Sequence, residues 1–134
     1  MSKLLRLKCP CGNVVNAYPG EVCPKCKQPI PIPRDGTIYL YRMGSPLGIA
    51  GGFGLYLNGE PMGHIGNKET IRIPVKFGSY NLHVASGMNR RCNDMVINIT
   101  PQSPFAFLKV RMKMGFFTNS FVLEPSNPQE MPDL

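Results

Sequence analysis

Four cysteines near the start of the chain are the residues whose type and spacing could do chemistry. One residue separates Cys9 from Cys11, and two residues separate Cys23 from Cys26. Each pair lies on a turn that contains a proline, so two short loops can each present two sulfurs to one centre. Four thiolates arranged in this way are a donor set that tetrahedral Zn²⁺ prefers. We therefore predict one structural zinc ion per chain, bound by Cys9, Cys11, Cys23 and Cys26.

The ligand set also indicates what kind of metal site this is. Because protein atoms fill all four positions, no position is open for water or substrate, which is typical of a structural and not a catalytic zinc. Iron in a rubredoxin-like site stays open as an alternative, since the ligand types are the same. Disulfides would have to close very small, strained loops. A redox Cys-x-x-Cys needs a strand-to-helix setting that the sequence does not offer.

The residues around the cysteines favour a small hairpin. Gly12 directly follows the second thiol and permits a positive φ, and Val14, Val15 and Ala17 favour a short strand. Residues 7–28 thus resemble a zinc ribbon, in which two cysteine knuckles are held over a minimal hairpin. The chain departs from that family in two places: the first knuckle has one residue between its thiols where two are usual, and Lys27 stands where glycine is commoner.

The formal charge of the chain is +7, from 15 basic and 8 acidic residues. Four thiolates and one Zn²⁺ add −2, which leaves +5 for the metal-loaded protein. The first 35 positions hold only two acids, Glu21 and Asp35, so much of the excess lies beside the cysteines. The expected role of the basic residues there is to screen the negative metal site; they are Lys3, Arg6, Lys8, Lys25, Lys27 and Arg34.

The length of 134 residues suits one domain of about 95 residues with a small appendage that needs a metal or a docking surface to fold. We predict a zinc ribbon over 1–28, a proline-rich linker over 29–36, a β-sandwich domain over 37–123 and a flexible tail over 124–134. Prolines at every second position stiffen the linker, and its two isoleucines, Ile30 and Ile32, are expected to pack on a neighbouring surface.

From Thr37 onward the apolar residues alternate with polar ones, the pattern of half-buried strands. No convincing helix appears. The sequence therefore predicts an all-β protein whose larger part is an antiparallel, immunoglobulin-like β-sandwich of about seven strands. The segments with strand character are 37–43, 53–57, 62–65, 69–75, 79–85, 95–100, 105–113 and 117–123.

Part of this larger domain is similar to a known group. Tyr-Leu-Tyr-Arg at 39–42, Tyr-Leu-Asn-Gly-Glu at 56–60 with Gly-His-Ile at 63–65, and Phe-Gly-Ser-Tyr-Asn-Leu-His-Val at 77–84 carry the likeness. The order resembles small bacterial immunoglobulin-like domains of unknown function and, more distantly, PEGA-type surface domains. That resemblance implies no catalytic residues. Its members are typically exported or lipid-anchored, whereas this chain shows no signal peptide or membrane span, so we expect a cytoplasmic location.

The remaining reactive side chains show no catalytic pattern. His64 and His83 each lie alone in a predicted strand, where a histidine is usually structural. The glycine-rich loop at 48–54 lacks the lysine and the helix of a phosphate-binding loop. Cys92 is expected to be a free thiol. These observations predict a protein that is not an enzyme.

One basic stripe could bind an anion. Lys109, Arg111 and Lys113 alternate with apolar residues, so in a strand they share one face with Phe105 and Phe107. Arg90 and Arg91 fall in a predicted loop between strands and could assist. Cations beside aromatic rings suit single-stranded nucleic acid, although an ordinary solvated face gives the same pattern.

Three functions follow in order of preference. The first is a zinc-binding, non-enzymatic binding or assembly module whose partner is another protein or a second copy of this chain. The second is a nucleic-acid-binding protein that uses the ribbon and the basic strand face. An enzyme of unknown type comes last.

Overall fold

The computed structural model describes residues 5–18, 20–43, 53–66, 68–86, 90–91, 94–114, 119–127 and 129. Every regular element named among them is a β-strand, so the prediction of an all-β protein is confirmed. The strands are β1 (Leu5–Lys8), β2 (Val14–Ala17), β3 (Gly36–Arg42), β4 (Phe53–Leu57), β5 (Glu60–Ile65), β6 (Thr70–Val75), β7 (Gly78–Ser86), β8 (Arg90–Arg91), β9 (Met95–Ile99), β10 (Phe105–Met114) and β11 (Asn119–Pro125).

The strands form three sheets. β1 and β2 make a two-stranded antiparallel hairpin at the N-terminus. A four-stranded sheet has the order β11-β10-β3-β6, and a five-stranded sheet has the order β5-β4-β7-β8, with β9 also paired to β7. In the described residues, β6 therefore ends one large sheet and β5 ends the other.

The two larger sheets contribute to one hydrophobic core. Along β3 the side chains alternate, with Ile38 and Leu40 buried and Tyr39 and Tyr41 on the opposite face. The same alternation in the other strands supplies the rest of the cluster. Its fully enclosed members include Leu55, Ile65, Ile73, Leu82, Val84, Ile99, Val110 and Leu123.

One pairing differs from the predicted antiparallel arrangement. β10 runs parallel to β3, with Phe105 opposite Thr37, while β3 and β6 are antiparallel. The chain enters β10 beside the start of β3, where the backbone oxygen of Pro104 accepts from the N–H of Thr37 at 2.9 Å. A Cβ on Gly36 would collide with that oxygen, so glycine permits the close approach. Hydrophobic residues alternate in the same way in parallel and antiparallel strands, so the sequence pattern could not predict the parallel pairing of β10 with β3.

A buried arginine joins the two larger sheets. Arg42, at the end of β3, is 1% exposed, and its Nη1 donates to the backbone oxygen of Ile65 in β5 at 3.2 Å. Burial lowers the pKa of this guanidinium. The alternation of β3 puts Arg42 on the core side. Because burying a charged guanidinium is costly, its hydrogen bond to Ile65 is needed to offset that cost.

Two short strands were not predicted. β1 precedes the first cysteine, and β8 consists of Arg90 and Arg91, which pair with Ser86 and Ala85 instead of lying in a loop. Cys92 and residues 48–52 of the glycine-rich loop lie outside the described residues.

Candidate metal centre

The four predicted cysteines come together at one point. Their sulfur atoms all lie within 4.8 Å of one another. Cys9 Sγ is 3.4 Å from Cys26 Sγ, and Cys11 Sγ is 3.8 Å from Cys23 Sγ, so each close pair joins one knuckle to the other. A tetrahedral zinc with Zn–S bonds of about 2.3 Å requires sulfurs about 3.8 Å apart. The cluster therefore has the size of a four-thiolate metal site, and its thiols are not bonded to one another.

The first knuckle is a tight turn closed by backbone hydrogen bonds. The N–H of Gly12 donates to the carbonyl of Cys9 at 2.8 Å, and the N–H of Cys9 donates to the carbonyl of Asn13 at 2.8 Å. Gly12 has φ 97°, as its position after the second thiol predicted. With one residue between the two cysteines, this short turn still brings both sulfurs to the same centre.

The second knuckle is one residue longer and closes in a similar way. The N–H of Lys27 donates to the carbonyl of Cys23 at 2.8 Å, and the N–H of Cys23 donates to the carbonyl of Gln28 at 3.0 Å. Lys27 has φ 61°, the left-handed conformation in which glycine is favoured. The lysine that departs from the zinc-ribbon pattern thus keeps the backbone shape that a glycine would give, at some cost in strain.

The surroundings of Cys9 and Cys23 shift the pKa values of these two thiols in opposite directions. The backbone N–H of Cys26 lowers the pKa of Cys23 to about 6 against the effect of burial, assisted by the N–H of Lys25 and the amide of Asn13. The N–H of Cys11 favours the thiolate of Cys9, but burial and the neighbouring thiols raise the pKa of Cys9 to about 12. The two pKa values are thus shifted in opposite directions, whereas a divalent cation would stabilise all four thiolates.

The cysteines sit in a small hydrophobic cluster of their own. Cys9 and Cys23 are buried together with Leu7, Ala17 and Ile30, and this cluster is separate from the core of the larger sheets. Ile32 packs against it. Both isoleucines of the predicted linker therefore pack on the hairpin.

Arg6 fastens the hairpin to the five-stranded sheet. Its Nη1 donates to the backbone oxygens of Met62 at 2.9 Å and His64 at 2.8 Å, both in β5. Its Nε donates to Oδ1 of Asn16, the residue opposite it in β2, at 2.6 Å. Burial lowers the pKa of the guanidinium, and Glu69 opposes that shift. Arg6 was expected to screen the metal site, but it instead hydrogen-bonds the edge of β5.

Two further contacts lie at the same junction. Gly63, between the two carbonyls that Arg6 binds, has φ 82°, and a Cβ there would lie 2.9 Å from Nη1 of Arg6 and 3.4 Å from Cγ1 of Val14. Lys8 forms an ion pair with Glu60 at 3.3 Å. β1 also lies close to β6, so the hairpin contacts the terminal strand of each larger sheet.

The predicted anion-binding residues are only partly described. Lys109 and Arg111 lie on the outer face of β10, where both approach Oε1 of Glu124, at 3.8 Å and 2.7 Å. The side chains of Lys113, Arg90 and Arg91 lie outside the described residues. A shared carboxylate thus partly neutralises the stripe, which the sequence did not anticipate because it assigned Glu124 to the tail.

One pair of side chains, His83 with Asp94, was not predicted from the sequence. His83 Nδ1 lies 2.6 Å from Oδ1 of Asp94, and its ring is 5.7 Å from that of Tyr56. Asp94 also accepts from Nδ2 of Asn81 at 3.2 Å. No sequence spacing links these residues, since β7 and the start of β9 meet only in the folded sheet. Within the described ranges, Cys9, Cys11, Cys23 and Cys26 form the group of metal-ligating side chains that come together.

A shallow groove of about 480 Å³ lies on the hairpin beside β2. Its lining is mostly apolar, and Glu21 is the ionisable residue in it; the other residues are Val15, Asn16, Ala17, Val22 and Pro24. Tyr18 and Val22 are exposed nearby. The groove offers contact surface but no pair of groups for acid-base chemistry.

In comparisons with known proteins, no family model matches the chain, and no curated protein or solved structure matches it. The resemblances to zinc ribbons and to bacterial immunoglobulin-like domains therefore stay predictions. Within the part of the chain that the structure describes, no helix has the length and apolarity that a membrane crossing requires.

Proposed function

We propose that the protein is a zinc-binding, non-enzymatic binding module in which the metal has a structural role. The observation that carries this proposal is the closed cluster of four sulfurs within 4.8 Å of one another. One Zn²⁺ in this cluster would be bound by Cys9, Cys11, Cys23 and Cys26, with no position left for substrate. In this respect the N-terminal segment would be a zinc ribbon.

The role we assign to the metal is to hold the hairpin in the shape that fits the larger sheets. A hairpin of two four-residue strands has too little apolar surface to be stable by itself. The metal would fix both knuckles, and the ordered hairpin would then present Arg6 to the carbonyls of Met62 and His64. Because terminal strands expose unpaired backbone groups, a hairpin over β5 and β6 would also protect those edges.

The larger sheets would provide the binding surface of the module, in an immunoglobulin-like arrangement. Support for a binding role comes from the outward-facing aromatic and basic side chains of the four-stranded sheet. A protein partner or a second copy of the chain is the general expectation. Thiols kept reduced for metal binding fit a cytoplasmic location.

Elemental analysis of protein purified without added zinc tests the metal. We expect about one zinc per chain. Reconstitution with Co²⁺ should give the intense visible bands of a tetrahedral thiolate site, with a titration endpoint at one equivalent. Cys23→Ser should lose both signals, and Cys92→Ser, the matched change at the fifth cysteine, should keep them.

The possible results separate the alternatives. A result of one iron per chain and no zinc would mean that the bound metal is iron, while its structural role would stay as proposed. Protein that contains no metal and has its four N-terminal cysteines in disulfides would overturn the proposal.

A further inference from the structure

The outer face of the four-stranded sheet carries a continuous set of aromatic and basic side chains. The register of the strands places them in rows across the sheet. Phe107, Tyr39 and Arg72 form one row, since Phe107 is opposite Tyr39 and Tyr39 is opposite Arg72. Glu124, Lys109 and Tyr41 form the adjacent row. We call these residues, together with Phe105 and Arg111, the aromatic-basic face.

The aromatic rings of this face are arranged for stacking. Tyr39 and Phe107 lie with ring centroids 4.9 Å apart and planes 8° apart. Phe105 is 6.2 Å from Tyr39 at an angle of 54°, and it is 53% exposed. Large apolar rings are usually turned into a core, and here the core is on the other side of the same strands. An exposed ring beside a stacked pair offers a flat surface to another ring.

The charges of the face favour an anionic ligand. Arg72 follows Tyr39 across the sheet, and Lys109 and Arg111 follow Phe107 along β10, so cations border the rings in two directions. Glu124 is the carboxylate among these residues, and it contacts both Lys109 and Arg111. Three cations and one carboxylate leave a net charge of +2 on the face. A ligand with successive negative groups could displace Glu124 from one of the two cations.

We propose that the aromatic-basic face binds single-stranded nucleic acid. Unpaired bases would stack on Phe105 and on the Tyr39–Phe107 pair, while phosphates would contact Arg72, Lys109 and Arg111. Rings on a sheet with flanking cations are what such ligands need, because every base has a stacking face and every nucleotide carries a negative charge. A duplex keeps its bases paired and offers only its phosphates. This inference rests on the binding role proposed above but replaces the protein partner expected there with single-stranded nucleic acid, and it does not depend on the identity of the metal.

Fluorescence anisotropy with the metal-loaded, full-length protein tests the inference. The probes are a labelled 15-nucleotide oligothymidine, a labelled RNA of the same length, a duplex of equal length, and unlabelled heparin as a competing polyanion. We expect the single strands to bind more tightly than the duplex. With three phosphate contacts, the affinity should fall about 20-fold between 50 and 200 mM NaCl.

Substitutions on the face separate stacking from charge. Phe105→Leu and Phe107→Leu keep apolar bulk but remove a ring, and each should weaken single-strand binding about tenfold or more. Arg111→Gln should weaken binding and reduce the salt dependence. Glu124→Gln should strengthen binding, because the competing carboxylate is lost. Tyr18→Leu and Lys25→Gln make matched changes to exposed residues of the hairpin and should have no effect.

Three outcomes would overturn the inference. They are the absence of single-strand binding at 50 mM NaCl, binding that the phenylalanine variants leave unchanged while heparin abolishes it, and a loss of binding in the hairpin variants that equals the loss in the face variants. Thermal melting of each variant shows whether it remains folded. The metal content of the same samples is measured separately, so a failure of nucleic-acid binding with one zinc present leaves the metal proposal intact.

Discussion

The guanidinium of Arg6 lies directly over Gly63, so that a Cβ on this glycine would be 2.9 Å from Nη1. The contact brings a side chain of the N-terminal hairpin against the backbone of the terminal strand of the five-stranded sheet. Arg6 then reaches the carbonyls on either side of the glycine. The fit between hairpin and sheet therefore depends on the absence of a side chain at position 63.

Gly63→Ala should destabilise the protein more than the backbone strain alone explains. The new methyl group would displace Arg6 and weaken both of its bonds to β5, in addition to the cost of placing alanine at φ 82°. Gly59→Ala is the matched control, because Gly59 has φ 81° and a methyl group there would meet no atom within 4 Å. Urea denaturation should show an excess loss of about 1 to 2 kcal/mol for Gly63→Ala. Equal losses in the two variants would contradict the contact.

Arg6→Ala should reduce stability by about 2 to 3 kcal/mol, because it leaves two carbonyls at the junction without their donor. Lys8→Ala, two residues along the same strand, removes an ion pair whose carboxylate is largely exposed and should cost less than about 1 kcal/mol. Chemical denaturation measures both. If Lys8→Ala proved as damaging as Arg6→Ala, the hairpin would be fastened by general charge attraction and not by the carbonyl contacts.

Lys27→Gly should stabilise the second knuckle. Glycine relieves the strain of φ 61° but also adds freedom to the unfolded chain, so we expect a net gain of about 0.5 to 1 kcal/mol. The same change at Lys68, which also has φ 61°, should raise stability by a similar amount without affecting metal affinity. Competition with a zinc chelator distinguishes the two, since only Lys27→Gly should retain metal more strongly.

Cys23→Ser, or removal of the metal by a chelator, should unfold the hairpin while the larger sheets stay folded. The hairpin cluster and the main core are separate, and a domain of about 95 residues can sustain its own core. Hydrogen exchange should show lost protection in β1 and β2 and retained protection in β3 and β7. The larger unit should melt a few degrees lower, because it loses Arg6. Simultaneous loss of protection in all strands would show that the two parts fold as one.

Much of the fold and the whole cysteine cluster could be predicted from local patterns. The alternation of Tyr39 and Tyr41 with Ile38 and Leu40 identified β3 and its inward face, because side chains in a strand alternate with period two. The pairing of Cys-x-Cys with Cys-x-x-Cys identified the four cysteines that come together, because each knuckle brings its sulfurs together by local turn geometry.

The missed features depend on residues that meet only after folding. Arg6 looks like one of several basic residues near the cysteines, and nothing local indicates that it binds β5. Glu124 falls in the predicted tail, whereas in the structure it lies in β11 opposite Lys109. The parallel direction of β10 and the meeting of His83 with Asp94 likewise depend on sheet topology, which alternation along one strand does not encode.

The parallel pairing of Thr37 with Phe105 also has a consequence for the order of folding. β3 is an inner strand of its sheet, yet one of its two partners lies far later in the chain. The cysteine hairpin needs only neighbours in sequence, such as Leu7 opposite Val15. Because distant contacts must overcome a larger loss of chain entropy, the hairpin can close while the four-stranded sheet is still unformed. During synthesis on the ribosome, the cysteine hairpin would therefore form first, and the larger sheets would form later and pack against it.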